Sequence, residues 1–166
     1  MTSDAGAGPT ATKTWWLAEP AATEALGAAL GAHLGPGTTV ALLGDLGAGK
    51  TTFVRGLARG LRVLDPDGVA SPTYLLVVEH DGPVPMLHMD AYLREKLAAF
   101  LADGGLDYLA ERAGVTVVEW ADRIADLLPS DRVEVELVPA PRGTVVGRSV
   151  RITGPTDLIA KLARAD

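Results

Sequence analysis

The chain has 166 residues, 48% of them hydrophobic and 22% charged, a balance that suits one globular domain with a real core and is too short for two of ordinary size. Cysteine is absent, which excludes disulfides and thiol chemistry, and a net charge of −6 argues against a surface that grips nucleic acid by itself, so any RNA connection has to run through a partner. No apolar run approaches the roughly 20 residues of a membrane-spanning helix, and a soluble, cytoplasmic protein is expected.

Residues 1–13 open with Ala, Gly, Thr and Ser and lack the basic start and apolar middle of a signal peptide; they are expected to form a disordered tail ahead of a single domain over 14–166. Thr14–Ala18 reads as an edge strand, with Glu19-Pro20 as a break. Neighbours on a strand point to opposite faces, so one of Trp15 and Trp16 can enter the core while the other covers something else, either ordinary edge packing or an adenine base. From Pro20 to Leu34 the positions Ala22, Leu26, Ala29, Leu30 and Leu34 keep helical spacing, ended by Gly35-Pro36-Gly37, with His33 a surface residue near that end.

Val40–Leu43 reads as a buried strand, Thr52–Ala58 as the start of a helix running to about Arg62, and between them Gly44-Asp45-Leu46-Gly47-Ala48-Gly49-Lys50-Thr51 fits the P-loop pattern G-x-x-x-x-G-K-[ST]. A triphosphate is a dense anion. A ring of backbone N–H groups at the positive end of a helix receives it well, and Gly44, Gly47 and Gly49 give the loop the freedom to converge those amides. On this reading residues from Gly44 to Thr52 hold the nucleotide, Lys50 reaches the β- and γ-phosphates, and the Thr51 hydroxyl sits on Mg²⁺.

Leu64–Gly68 has turn chemistry, and Ser71-Pro72-Thr73-Tyr74 follows it where P-loop enzymes keep a mobile loop that senses the γ-phosphate. Thr73 is thus a candidate for touching metal, phosphate or water, an ordinary loop-to-strand transition being the alternative. Tyr74–His80 and Val84–Met89 look like a hairpin around Asp81-Gly82-Pro83, with His80 and His88 as polar residues on the strand surface. The hairpin ends in Asp90, which either holds Mg²⁺ or caps the following helix. Helices are predicted over Leu93–Ala102 and Leu106–Ala113. Val115–Val118 is a second apolar strand, and Glu119 at its end has the Walker B arrangement, a carboxylate that holds metal or polarises water; the alternative is an acid at the start of a helix over Ala121–Leu127. Alternating strands over Arg132–Leu137 and Ser149–Thr153 and a last helix opened by Gly154-Pro155 complete an α/β, P-loop NTPase-like three-layer fold with a mixed central sheet flanked by helices.

Taken together, the P-loop word through Leu57, Ser71-Pro72-Thr73-Tyr74, His88-Met89-Asp90-Ala91-Tyr92, Gly105–Leu109, Val118-Glu119-Trp120 and Gly147-Arg148 resemble the TsaE family (also called YjeE), the P-loop ATPases of bacterial tRNA threonylcarbamoyladenosine biosynthesis. The resemblance implies ATP and Mg²⁺ binding, slow hydrolysis, and docking on the partner proteins TsaB and TsaD, which modify the adenosine beside the anticodon; tRNA is met only indirectly. It implies catalytic roles for Lys50, Glu119, Asp90 and Thr73, metal contacts for Thr51, Glu119 and Asp90, and a place beside the site for Trp120. Ala91 and Leu93 depart from the family's usual Leu and Arg, with Arg94 one place on, and Arg148 matches without an assigned role. Two other readings share the same phosphate-binding parts: a small-molecule kinase, and a nucleotide-gated binding module with negligible hydrolysis.

Overall fold

The computed structural model describes residues 8–111 and 113–163. Its centre is a seven-stranded sheet in the order β1-β7-β6-β2-β5-β4-β3. The strands are β1 (Thr10–Leu17), β2 (Thr39–Leu43), β3 (Val77–His80), β4 (Met86–Asp90), β5 (Val115–Glu119), β6 (Val133–Pro139) and β7 (Arg148–Pro155). The helices are α1 (Pro20–Gly31), α2 (Lys50–Gly60), α3 (Arg94–Ala102), α4 (Gly105–Glu111) and α5 (Thr156–Ala163), with a 3-10 turn over Ala121–Leu127. The four middle strands run parallel, and β1, β7 and β3 join antiparallel at the two flanks. This is the mixed three-layer α/β sheet expected from the sequence.

Parallel strands are buried on both faces and read as unbroken apolar runs, as β2 and β5 do. Alternation then divides their side chains between two cores. Val40, Leu42, Val115 and Val117 pack with α1, α2 and α5, whereas Ala41, Val118, Leu87 and Met89 pack beneath α3, α4 and the 3-10 turn. The same alternation sends His88, Asp90 and Glu119 to the α2 face.

Helix α1 lies unusually near α2 because both present glycines at the crossing. A Cβ at Gly27 would stand 2.3 Å from the Phe53 carbonyl oxygen, one at Gly31 2.4 Å from that of Leu57, and one at Gly56 2.1 Å from that of Glu24. Backbone therefore touches backbone, and the start of α2, which carries Lys50 and Thr51, is fixed against the rest of the core.

Several expectations need correction. Strand β1 starts at Thr10, four residues before Thr14, because its polar half pairs with β7 from Thr10–Pro155 onward; residues 10–13 are not a tail, and 1–7 lie outside the described residues. Tyr74–Leu76 forms a turn, held by the Leu75 and Leu76 amides on the Pro72 carbonyl, so β3 is short. Residues 121–127 are 3-10 rather than α-helical, and Pro155 ends β7 instead of opening α5. His88 is fully buried, not a surface residue. The tryptophans divide as alternation requires: Trp15 is buried and Trp16 is 53% exposed. No helix among the described residues is long and apolar enough to cross a membrane.

Candidate functional site

The loop from Gly44 to Gly49 leaves the C-terminal end of β2 and delivers the chain into α2, whose first residue is Lys50. Two of its glycines are required by what surrounds them. Gly44 has φ +146°, and a Cβ there would meet the Leu137 carbonyl oxygen at 2.6 Å; Gly49 has φ +101°, and a Cβ there would fall 1.7 Å from Nη1 of Arg148. A side chain at Gly44 would push the loop off the β6 backbone, whereas one at Gly49 would displace the Arg148 guanidinium and strain a left-handed backbone.

Lys50 Nζ donates to the carbonyl oxygens of Gly44 at 2.6 Å and Asp45 at 2.9 Å, and lies 3.9 Å from the centre of the Trp120 ring. The ammonium thus clasps the loop from inside while the indole shields it. Burial holds Lys50 below the ordinary lysine pKa, with the carboxylates of Glu119, Asp90, Asp45 and Asp122 pulling it back up. Trp120 can cover the ammonium because its backbone is left-handed, φ 57°, a conformation uncommon for a bulky residue, which turns the chain sharply after Glu119.

Glu119 and Asp90 end adjacent parallel strands in register with each other. The Thr51 hydroxyl donates to Glu119 at 3.1 Å and 3.3 Å, one distance to each carboxylate oxygen, and His88 Nε2 lies 2.8 Å from Glu119 Oε1. Asp90 Oδ2 accepts from the Ser71 hydroxyl at 2.5 Å and the Thr73 hydroxyl at 2.8 Å, and its Oδ1 accepts from the Tyr92 amide at 2.8 Å. The Asp90 carboxylate therefore fastens the Ser71–Thr73 loop to the sheet and closes a turn onto the Tyr92 amide, but it does not cap α3, whose N-cap residue is Leu93 with no side-chain cap bond, so the helix-cap alternative does not hold.

Lys50, Thr51, Ser71, Thr73, Asp90 and Glu119 open on one cleft of about 560 Å³, which Gly47, Gly49, Thr52, Trp120 and Arg148 also line, while His88 is buried behind Glu119. The structure brings together Lys50, Thr51, Thr73, Asp90 and Glu119 as the sequence anticipated. It leaves Arg94 exposed at the start of α3, outside the cleft lining. Arg123, itself outside the cleft lining, lies over both Tyr92 and Trp120, 5.0 and 5.3 Å from the ring centres, and donates to the Tyr92 carbonyl at 2.5 Å. Sequence reasoning missed Arg123 and the pairing of His88 with Glu119. The first has no local signal, since it acts across two turns; the second was readable from spacing, because residues 88 and 90 of one strand share a face.

The donor set has a definite chemical preference. A hydroxyl and two carboxylates are hard oxygen ligands of the kind that suit Mg²⁺, which takes few protein groups and keeps water. A lysine whose hydrogen bonds among the described residues go to the Gly44 and Asp45 carbonyls, at the N-terminus of an eleven-residue helix, suits an anion.

The family model described as Threonylcarbamoyl adenosine biosynthesis protein TsaE matches residues 17–146. The chain belongs to the TsaE family. Its similarity to the TsaE of Bacillus subtilis is 40% identity over 122 residues, covering 73% of this chain and 74% of the relative. To the TsaE of Streptomyces coelicolor it is 37% identical over 141 residues, covering 78% of this chain and 88% of the relative. A crystal structure of YdiB from Bacillus subtilis matches with a TM-score of 0.73 at 31% identity, over 95% of this chain and 98% of that one. The matched stretch of the TsaE model takes in the glycine loop, the Ser71–Tyr74 loop, Asp90 and Glu119, and stops just short of Arg148.

Proposed function

We propose that the chain is a Mg²⁺-dependent ATPase that turns over slowly alone and serves the threonylcarbamoyl modification of the adenosine next to the anticodon in tRNA, acting with a TsaB–TsaD complex. The observation that carries this reading is the convergence of Lys50, Thr51, Glu119 and Asp90 on one cleft at the mouth of the glycine loop, in a chain of the TsaE family.

The loop amides from Gly44 to Thr52 would receive the phosphates, with the Lys50 ammonium exchanging its carbonyl partners for phosphate oxygens. Thr51, Glu119 and Asp90 would hold Mg²⁺, which when bound neutralises phosphate charge and lowers the barrier to attack at the terminal phosphate. Glu119 is placed to orient water, its other side secured by His88. Thr73, tied to Asp90, can let go of that carboxylate and turn to the ligand, which would couple the Ser71–Thr73 loop to the state of the site. Leu46, Tyr74 and Leu75 beside the cleft are 82%, 79% and 75% exposed, an apolar rim suited to a protein partner that would sense the loop. The net charge of −6 also favours a protein partner over tRNA as the direct contact.

The test is a reconstituted modification assay with TsaB, TsaD and substrate tRNA. Wild-type chain should support threonylcarbamoyl transfer in an ATP- and magnesium-dependent way, and Lys50→Ala should abolish that support. Glu119→Gln should keep ATP binding and lose turnover by roughly 100-fold or more. Full pathway activity with Glu119→Gln would favour the nucleotide-gated module, and transfer of phosphate to a metabolite instead of water would favour a kinase.

A further inference from the structure

We infer that Arg148, at the start of β7, is a phosphate ligand supplied from outside the glycine loop, and that it holds the inner phosphates of the nucleotide and not the terminal one. This rests on the ATP-binding reading above and adds to it a residue and a direction for the ligand in the cleft.

The side chain lies flat on the loop. Nη1 donates to the Ala48 carbonyl at 2.8 Å, and the guanidinium occupies the place where a side chain on Gly49 would stand. Its base is set by its neighbours. Gly147 has φ +143°, and a Cβ there would meet the Trp16 ring at 2.8 Å, so the exposed indole presses on the chain one residue before Arg148 and fixes its approach.

What the guanidinium lacks is more telling. It carries five N–H donors, and among the described residues it makes the one hydrogen bond to Ala48 and no ion pair. Nε is buried without any partner. A permanent cation in this state, lining a cleft built for an anion, is short of an acceptor that a forked guanidinium recognises well, and phosphate is that acceptor.

The sheet order supplies the direction. β2 stands between two flanks: β5 and β4 bring Glu119 and Asp90 on one side, and β6 and β7 bring Arg148 on the other. The acids on the first side need a metal between them and any phosphate, which makes that flank the place for the terminal phosphate. The rest of the nucleotide then trails towards β7, where Arg148 waits over Ala48 and Gly49.

The test is calorimetric titration of the folded chain with ATP and with ADP, in the presence of Mg²⁺, for wild type, Arg148→Ala and Arg148→Gln. Gln loses the charge and, ending about where the arginine Nε stands, keeps a polar group there while giving up the Ala48 contact. Both variants should weaken ATP and ADP alike, by roughly 10- to 100-fold. Three results would overturn the inference: unchanged affinity in both variants, loss with Ala but not with Gln, which shows that the nucleotide does not meet the charge, or loss confined to ATP with ADP binding intact, which puts Arg148 at the terminal phosphate. Should Arg148→Ala not fold, Arg148→Gln decides alone. A wild-type chain that binds neither nucleotide overturns the ATP reading itself, which is a different outcome from wild-type binding with indifferent variants.

Discussion

Glu119 is 3% exposed, and among the described residues the side chains that satisfy its carboxylate are those of Thr51 and His88. Replacing His88 by Leu takes one partner from a buried acid, a change that costs about 1–3 kcal/mol, or a fall in melting temperature of roughly 2–4 °C per kcal/mol for a domain of this size. His88→Gln, which can still donate, should recover part of that loss in thermal unfolding. The neighbouring His80 gives a pH signature. Burial lowers its pKa below the ordinary histidine value, and repulsion from His88 adds to this, with Asp65 opposing. The unfolded chain therefore takes up its proton at higher pH than the folded one, so this contribution destabilises progressively as pH falls through about 6.5 and levels off below the folded-state pKa. Denaturant unfolding between pH 7.5 and 5 should show a shallower decline for His80→Gln than for wild type; equal slopes would remove His80 from the account. Much of the site's residue content was legible from the chain itself, because a glycine loop with Lys50-Thr51 and acids at the ends of apolar strands are local patterns. The motif match singled out Arg148 without a role, since it reaches Ala48 over a separation of 100 residues, and the contact of Arg123 with Tyr92 across 31 residues left no trace in the sequence.

The pairing of α1 with α2 depends on glycine for space, not for dihedral freedom. Ala at position 56 would gain about 1 kcal/mol in helix propensity over Gly, but its Cβ would fall 2.1 Å from the Glu24 carbonyl oxygen, and forcing two backbones apart costs about 1–3 kcal/mol or more. The steric effect should win. Gly56→Ala is expected to lower stability by about 2 kcal/mol in denaturant titration, whereas a gain would mean that the helices can slide apart freely. Apolar spacing located both helices but gave no role to the glycines at 27, 31, 56 and 60, because their use appears only when the partner helix is in place. Strand β1 repeats the lesson. Its first residues, Thr10 to Lys13, carry Ala11 as their one apolar side chain, too little to mark a strand in sequence, and they become one because β7 offers eight paired positions from Pro155 back to Arg148. The 3-10 turn over 121–127 follows from the left-handed Trp120 and the non-helical Ile124, tertiary constraints that helical propensity could not report.

The order β1-β7-β6-β2-β5-β4-β3 sets the glycine loop between an acidic flank and a cationic one, and no reading of sequence order alone yields that arrangement. The local pieces were visible; their neighbours were not. With the order known, the cleft has a polarity, acids at one side, Lys50 in the middle and Arg148 at the other, which is the charge pattern that a magnesium–triphosphate complex would fill. The most direct test of this account is isothermal titration of the folded chain with ATP in the presence of Mg²⁺. Saturable binding at one site, weakened at least about 10-fold by Lys50→Ala in a variant that still unfolds cooperatively, is the expected result. No heat of binding with wild-type protein, or an affinity indifferent to Lys50, would contradict it.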